Sequence, residues 1–319
     1  NMSPETVHDV LPGVNVDTFL NNRLIPPELY REDLTLSASG LRFTNAKQGV
    51  IPAIVEQYFN ERKEIKGRMI KCKQEYEESP SKRLENEINS LENQQMSLKI
   101  LMNSLYGAMG NAYFRYFDSR VAEAITTSGQ LAIRYAEKAI NKELNKILQS
   151  DKDYVIAIDT DSLYIDFSDL VAHIKPPKPV KFLDKICREH FEGVLKSNYA
   201  HLAKVVSART NRMEMEREVI ADKAIWVAKK RYILNVHNNE GVQYDEPKLK
   251  IMGIEAIKSS TPEVCRVKFK EIFEVIMRGS EKETQSFIAK FKAEHKHLTV
   301  EDVSFPRGVS DVSKWFNHV

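Results

Sequence analysis

Three long stretches of the chain carry their apolar residues at helical spacing. Pro52 stands where a first-turn proline belongs, and the run from Ala53 to about Glu78 contains one glycine, Gly67. Ser79-Pro80-Ser81 interrupts it, and a second run extends from about Lys82 to Ala108. At 1.5 Å of rise per residue, each helix would be about 40 Å long. Their centres hold too few apolar residues for a buried bundle. The pattern therefore predicts an antiparallel, polar-faced helical hairpin projecting from a body. A third helix is predicted from an N-cap at Asp118 or Ser119 to about Gln149. Its positions Ile125, Gly129, Ala132, Ile133, Ala136, Ile140 and Leu144 fall on one face.

Elsewhere the period shortens. Residues 153–167, DYVIAIDTDSLYIDF, are rich in β-branched and aromatic side chains and are interrupted only by Asp159-Thr160-Asp161-Ser162, which reads as strand, tight turn, strand. Residues 1–50 mix short apolar runs with Leu11-Pro12-Gly13, Pro26-Pro27 and Ser39-Gly40, predicting loops and short strands. HIKPPKPVKF (173–182) reads as a proline-stiffened loop and 181–206 as a helix. Residues 212–237 and 242–257 read as strands, with Asn238-Asn239-Glu240-Gly241 as a turn. Ser259-Ser260-Thr261-Pro262 then breaks into two C-terminal helices.

Composition narrows the class. The 319 residues are 42% hydrophobic and 29% charged, as expected of about two globular domains. No apolar run approaches the roughly 18–20 residues that span a bilayer, and the first residues have neither a basic nor an apolar signal region, so a cytoplasmic setting is expected. Cys72, Cys187 and Cys265 are few, odd in number and far apart. They offer no disulfide framework or zinc spacing, so any metal must use oxygen or imidazole ligands. The net charge of +2 leaves the question of a nucleic-acid partner to local patches. The chain begins with Asn rather than Met, which marks processing or a piece of something longer.

Three constellations could carry chemistry. Asp159 and Asp161 sit at the tip of an apolar hairpin expected to be buried. They are either Mg²⁺ ligands compensating a costly buried charge, or Asx-turn residues that merely cap the hairpin. On the helical hairpin, Arg62 and Lys66 share a face, as do Lys99, Asn103 and Tyr106-Gly107. Such a face suits a triphosphate with a base to stack, or is an ordinary solvated face, given Glu61, Glu64, Glu75, Glu77 and Glu78 nearby. Lys229-Lys230-Arg231-Tyr232, with Lys248 and Lys250, form either a phosphate-backbone platform or a solvent-facing strand edge; residues 223–250 hold six basic and three acidic residues.

Taken together, these segments resemble family B DNA polymerases, particularly the replicative enzymes of large tailed bacteriophages. Lys99-Ile-Leu-Met-Asn103-Ser-Leu-Tyr106-Gly107 is similar to that family's K-x-x-x-N-S-x-Y-G segment, Asp159-Thr160-Asp161-Ser162 to its D-T-D-S segment, and Lys229-Lys230-Arg231-Tyr232 to its K-K-R-Y segment. Arg62 and Lys66 resemble its basic pair, and Lys248 to Glu255 its approach to the thumb. Ile158 departs from the glycine common before D-T-D.

The resemblance implies an α+β fold: a polymerase palm with an antiparallel sheet (1–50 and 112–259), an inserted two-helix fingers hairpin (51–111) and the start of a helical thumb (260–319). It implies template-directed nucleotidyl transfer with two Mg²⁺ ions. Asp161 would be their principal ligand, Asp159 would lie beside it, and Glu218 would stand outside the direct ligand set or serve a third ion. Arg62, Lys66 and Lys99 would hold the triphosphate, and Asn103, Tyr106 and Gly107 would line the base-pair pocket. Lys229, Lys230, Arg231, Tyr232 and Lys250 would grip primer-template DNA. The family's upstream D-x-x-S-L-Y-P segment has no counterpart here. The chain is therefore expected to need, in cis or in trans, an amino-terminal polymerase segment carrying that aspartate and the exonuclease. A sliding clamp is a candidate further partner, no membrane is expected, and a phage-encoded chain would act in the host cytoplasm. A non-catalytic module binding primer-template or nucleotide is the alternative reading.

Overall fold

The computed structural model describes residues 1–21 and 33–315; the loop expected at Pro26-Pro27 lies outside the described residues. The chain divides into two units, Asn1–Glu218 with Glu240–Val242, and Val219–Asn239 with Gln243–Val319.

The first unit opens with strand β1 (Val7–Val10) and a short helix α1 (Val16–Leu20), followed by β2 (Leu34–Leu36) and β3 (Leu41–Thr44). These strands form an antiparallel sheet in the order β1-β3-β2. Helices α2 (Val50–Glu78) and α3 (Lys82–Met109) follow, packed along each other and joined through Ser79-Pro80-Ser81. Ser81 caps α3 by accepting a hydrogen bond from the Leu84 amide. The N-cap of α2 is Gly49, which has no side chain to offer, and the chain start substitutes for it. The Gly49 amide donates to Asn1 Oδ1 (2.9 Å) and the Val50 amide to Glu5 Oε1 (2.6 Å). Burial opposes ionisation of Glu5, but hydrogen bonds from Ser3 and Val50 outweigh it and hold the carboxyl below its ordinary range.

Helix α4 (Ser119–Leu148) is the most strongly amphipathic of the long helices. Asp118 caps it by accepting from the Arg120 amide. The expected stripe Ala132, Ile133, Ala136, Ile140 and Leu144 is buried and extends to Val121, Ala124 and Leu131, which the pattern did not single out. Gly129 lies at the rim and is exposed. Around this stripe pack β4 (Val155–Asp159), β5 (Ser162–Ile165), α5 (Ser168–Ile174) and α7 (Glu192–Val205), with Phe191, Leu195, Tyr199 and Leu202 completing the core. A second cluster joins Leu41 and Phe43 of β3 to Ile51 of α2, Met109 of α3 and Val121 and Ala124 of α4, so both roots of the helical pair are fixed in one apolar seat.

The expected 173–182 loop is shorter than its prolines suggest. α5 reaches Ile174 and α6 (Pro179–Ile186) begins at a proline, which suits a first helical turn. The expected 181–206 helix is interrupted by a wider turn at Cys187–Phe191. Burial pushes the Cys187 thiol there up to about 11.

In the second unit, β6 (Val219–Ala228), β7 (Arg231–Asn239) and most of β8 (Val242–Met252) form an antiparallel sheet in that order. Helices α8 (Glu263–Arg278), α9 (Glu281–His295) and α10 (Val300–Val303) follow. Their core gathers Ile233, Ile254, Ala256 and Met277. Gly253 has φ +67°, and a Cβ there would meet the Lys230 carbonyl oxygen at 2.2 Å. Gly253→Ala is therefore expected to destabilise the protein by at least ~2 kcal/mol, through left-handed strain plus a backbone clash. Gly129→Ala, at an exposed mid-helix site with open space, is expected to stabilise it by about 0.5–1 kcal/mol. Urea unfolding of the two variants checks both signs.

Candidate active site

Asp159 ends β4, Ser162 begins β5, and only Thr160 and Asp161 connect them. Thr160 has φ +49°, a left-handed conformation that costs a β-branched residue of order 1–3 kcal/mol. Local hydrogen bonds hold the turn: the Asp161 amide donates to the Asp159 carbonyl (2.5 Å), Thr160 Oγ1 to Asp159 Oδ1 (3.1 Å) and Ser162 Oγ to the Asp159 carbonyl (3.1 Å). Ile158 pairs with Leu163 across the ladder, and both lean on the α4 core, so Ile158 anchors the strand directly before the carboxylate.

Two features differ from expectation. The hairpin strands are half-buried rather than buried, and Asp161 at the tip is exposed, so the charge needs no cation to be tolerated. The register also shifts between Val155↔Ile165 and Ala157↔Tyr164, leaving Ile156 bulged and 54% exposed. A bulge resets the side-chain alternation and thereby decides which face Asp159 takes.

The donor set at this turn fits Mg²⁺. Two hard carboxylates on an accessible loop leave room for water and phosphate oxygens, the ligand mixture that Mg²⁺ usually keeps. Glu218 is exposed and does not join Asp159 and Asp161 in a ligand cluster. Among the described residues, no three His, Cys, Asp or Glu side chains converge as a metal site. The neighbouring Arg217 places it: its guanidinium pairs with Asp184 and donates to the Glu218 carbonyl (3.2 Å), while its amide donates to Glu192 Oε1 (2.9 Å).

The helical pair carries the second group. Lys99, Asn103, Tyr106 and Gly107 are all exposed and lie one to two turns apart along α3. Arg62 faces inward, donating from Nε to Gln95 Oε1 (3.1 Å); Gln95 Nε2 donates to Glu92 Oε1 (2.8 Å), and Lys73 Nζ donates to Glu92 Oε2 (3.2 Å). Gln95 is buried, so a polar relay lies beside the buried Met69, Leu84 and Leu91 of the same helical pair. Lys66 Nζ is paired with Glu240 Oε1 at 2.6 Å. Sequence reasoning left Gln95, Glu92 and Glu240 out, since no local pattern marks a partner that lies across a seam or far along the chain.

It also passed over the loop between α3 and α4. Tyr113 is 98% exposed, Tyr116 and Phe117 are exposed, and the Arg115 guanidinium lies 5.8 Å from the Tyr116 ring centroid. Exposed aromatics beside an arginine offer a surface on which bases can stack. The run Tyr113-Phe114-Arg115-Tyr116-Phe117 was the available signal.

In the second unit, Lys229 and Lys230 form the exposed β6–β7 turn, with Lys230 at φ +62°. Arg231 is paired with Glu255. Lys258, by its hydrogen bond, and then Arg231 hold the Glu255 carboxyl below its ordinary range. Tyr232 is buried against Trp226, with ring centroids 6.2 Å apart, so it supports the strand from beneath. Lys250 is half-buried on β8, and Lys248 covers the Tyr244 ring at 4.1 Å. The carboxylate turn and the helical pair belong to the first unit, the basic turn to the second.

Comparison with known proteins adds to this geometry. The model of DNA polymerase family B matches residues 1–178. The DNA-directed DNA polymerase of Escherichia phage RB69 is 30% identical over 338 residues, covering 88% of this chain and 37% of that protein. That of Enterobacteria phage T4 is 28% identical over 371 residues, covering 99% and 41%. The structure of the family B DNA polymerase from Pyrobaculum calidifontis aligns at 20% identity with a TM-score of 0.48, covering 98% of this chain and 33% of that one. The chain thus spans about two fifths of the length of its phage relatives.

Removing the seam amide tests the relay. Gln95→Leu is expected to cost about 1–2 kcal/mol by stranding Arg62 Nε and Glu92. Amide exchange within 58–66 and 91–99 should quicken correspondingly, and unchanged exchange would show that the seam needs no relay.

Proposed function

The chain belongs to DNA polymerase family B, and on that premise we propose that it is the nucleotide- and primer-handling part of a template-directed DNA polymerase. Residues 1–50 and 112–259 then form the palm, 51–111 the fingers and 260–319 the start of the thumb. The observation that carries this reading is the Asp159–Ser162 turn, which lies within the matched residues. A strained Thr160 stands between a half-buried and an exposed carboxylate, as expected where backbone strain serves a site rather than the fold.

Asp159 and Asp161 hold Mg²⁺ in this reading. When bound, the cation supplies neutralisation of phosphate charge and acidification of the attacking hydroxyl. The remaining work belongs to side chains. Arg62, Lys66 and Lys99 orient and neutralise the triphosphate, which makes the leaving pyrophosphate less costly to release. Asn103 and Tyr106 bound the base-pair pocket, and Gly107, whose Cβ position meets nothing within 4 Å, leaves room for it. Lys229 and Lys230 meet the phosphate backbone, a sequence-independent contact that weakens with salt. The aromatic loop 113–117 stacks unpaired bases. The two-ion arrangement of this reaction class asks for one more carboxylate than the turn carries, and a further segment supplies it in cis or in trans.

Mg²⁺-dependent primer extension tests the proposal, with the chain alone and mixed with a segment bearing the further aspartate. Extension is expected in the mixture and should fall at least ~10³-fold in Asp161→Ala, with primer-template binding retained. Lys99→Ala should raise the KM for dNTP about tenfold, the loss of one charge-assisted contact. DNA binding without extension in every mixture would favour the non-catalytic module instead.

A further inference from the structure

The pairing of Lys66 carries more than a surface ion pair would. The β7–β8 turn consists of Glu240 and Gly241, with φ +52° and +89°, the pattern of a type I′ turn. Asn, Asp or Gly is at ease in its first position; glutamate is not. The strained residue is nevertheless held in place. Its amide donates to the Glu218 carbonyl (2.6 Å), the following Val242 is buried, and a Cβ on Gly241 would lie 3.8 Å from Gln74 Nε2 of α2. The turn is thus set against the helix at Gln74, and its one carboxylate falls on Lys66.

Besides Lys73 with Glu92, the same helix is held by the ion pairs of Glu56 with Arg212 and of Lys63 with Glu214 (2.9 Å). The Lys63–Glu214 pair is well exposed, at 58% and 63%, whereas Lys66 and Glu240 are 34% and 20% exposed. Solvent screens an enclosed pair less, and its carboxylate is harder to ignore for any anion approaching the ammonium.

We propose that Glu240 is a positioning residue that acts through Lys66. Its carboxylate occupies the ammonium in the nucleotide-free protein, and the incoming triphosphate must displace it. The inference rests on the reading of Lys66 as a triphosphate ligand. A singly charged carboxylate yields to a triphosphate but competes well against weakly charged anions, so the pair sets a threshold that favours the true substrate. It holds the lysine extended before binding and charges the nucleotide for its release.

Equilibrium binding of a fluorescent dNTP with Mg²⁺ to the full chain is the test. Glu240→Gln and Glu240→Asn both remove the charge, and the second also relieves the turn. Both are expected to tighten binding about three- to fivefold, the scale of one partly screened ion pair, while Glu240→Asp stays near the parent. In a Lys66→Ala background, Glu240→Gln should have no effect. In reconstituted extension, Glu240→Gln should lower the KM for dNTP more than it alters kcat. Unchanged affinity in Glu240→Gln, or tightening that persists without Lys66, overturns the proposal while the nucleotide reading stands. Tightening in Glu240→Gln but not in Glu240→Asn assigns the effect to the turn backbone and overturns it too. If neither Lys66→Ala nor Lys99→Ala weakens binding, the nucleotide reading itself fails and takes the proposal with it.

Discussion

The buried stripe of α4 is the surface against which the first unit is assembled. Leu131, Ala132, Ala136, Ile140 and Leu144 are almost wholly excluded from water, and α1, α5, α7 and the β4–β5 hairpin all rest on that side of the helix. Small residues alternate with branched ones along it, so neighbouring elements approach closely at Ala132 and Ala136 and interlock at Ile140 and Leu144. A two-stranded hairpin has little stability of its own in water. The Asp159–Ser162 turn therefore keeps its shape because Ile158, Leu163 and Ile165 are seated on that stripe, and the strain at Thr160 is offset by packing two and three residues away.

The helical pair follows a different rule. Its roots are apolar, gathered around Phe43, Ile51, Met109 and Val121, whereas farther out buried Met69, Leu84 and Leu91 share the pair with a polar relay running from Arg62 through Gln95 and Glu92 to Lys73. Apolar packing fixes one geometry strongly. A hydrogen-bonded seam with charged ends is directional yet can exchange partners with water or a ligand at small net cost. The root is thus rigid, while Arg62 is held by an exchangeable hydrogen bond rather than by apolar packing.

Much of this was legible in the residues. Pro52, Ser79-Pro80-Ser81 and Asp118 delimit the long helices to within a few positions because capping and proline chemistry act locally. The carboxylate turn was legible because two apolar strands flank it. Its accessibility was not, since alternation reports which side chains share a face and says nothing of how much covers that face. The bulge at Ile156 escaped for a related reason, as a period-two pattern conceals one extra residue. Tyr232 read as part of a basic platform, yet β7 is the central strand of its sheet, and residues 232–236 are all buried. The partner of Lys66 had no local signal at all.

The polar relay also has a thermal consequence. Heat-capacity changes follow apolar surface entering or leaving water, with polar surface contributing in the opposite sense. Separating Arg62 from Gln95 while Met69, Leu84 and Leu91 stay packed exposes mainly polar atoms, so its enthalpy and entropy vary little with temperature. The relay then keeps nearly the same strength over a wide span of temperature, while the apolar seat at the helix roots follows the curved stability of an ordinary core.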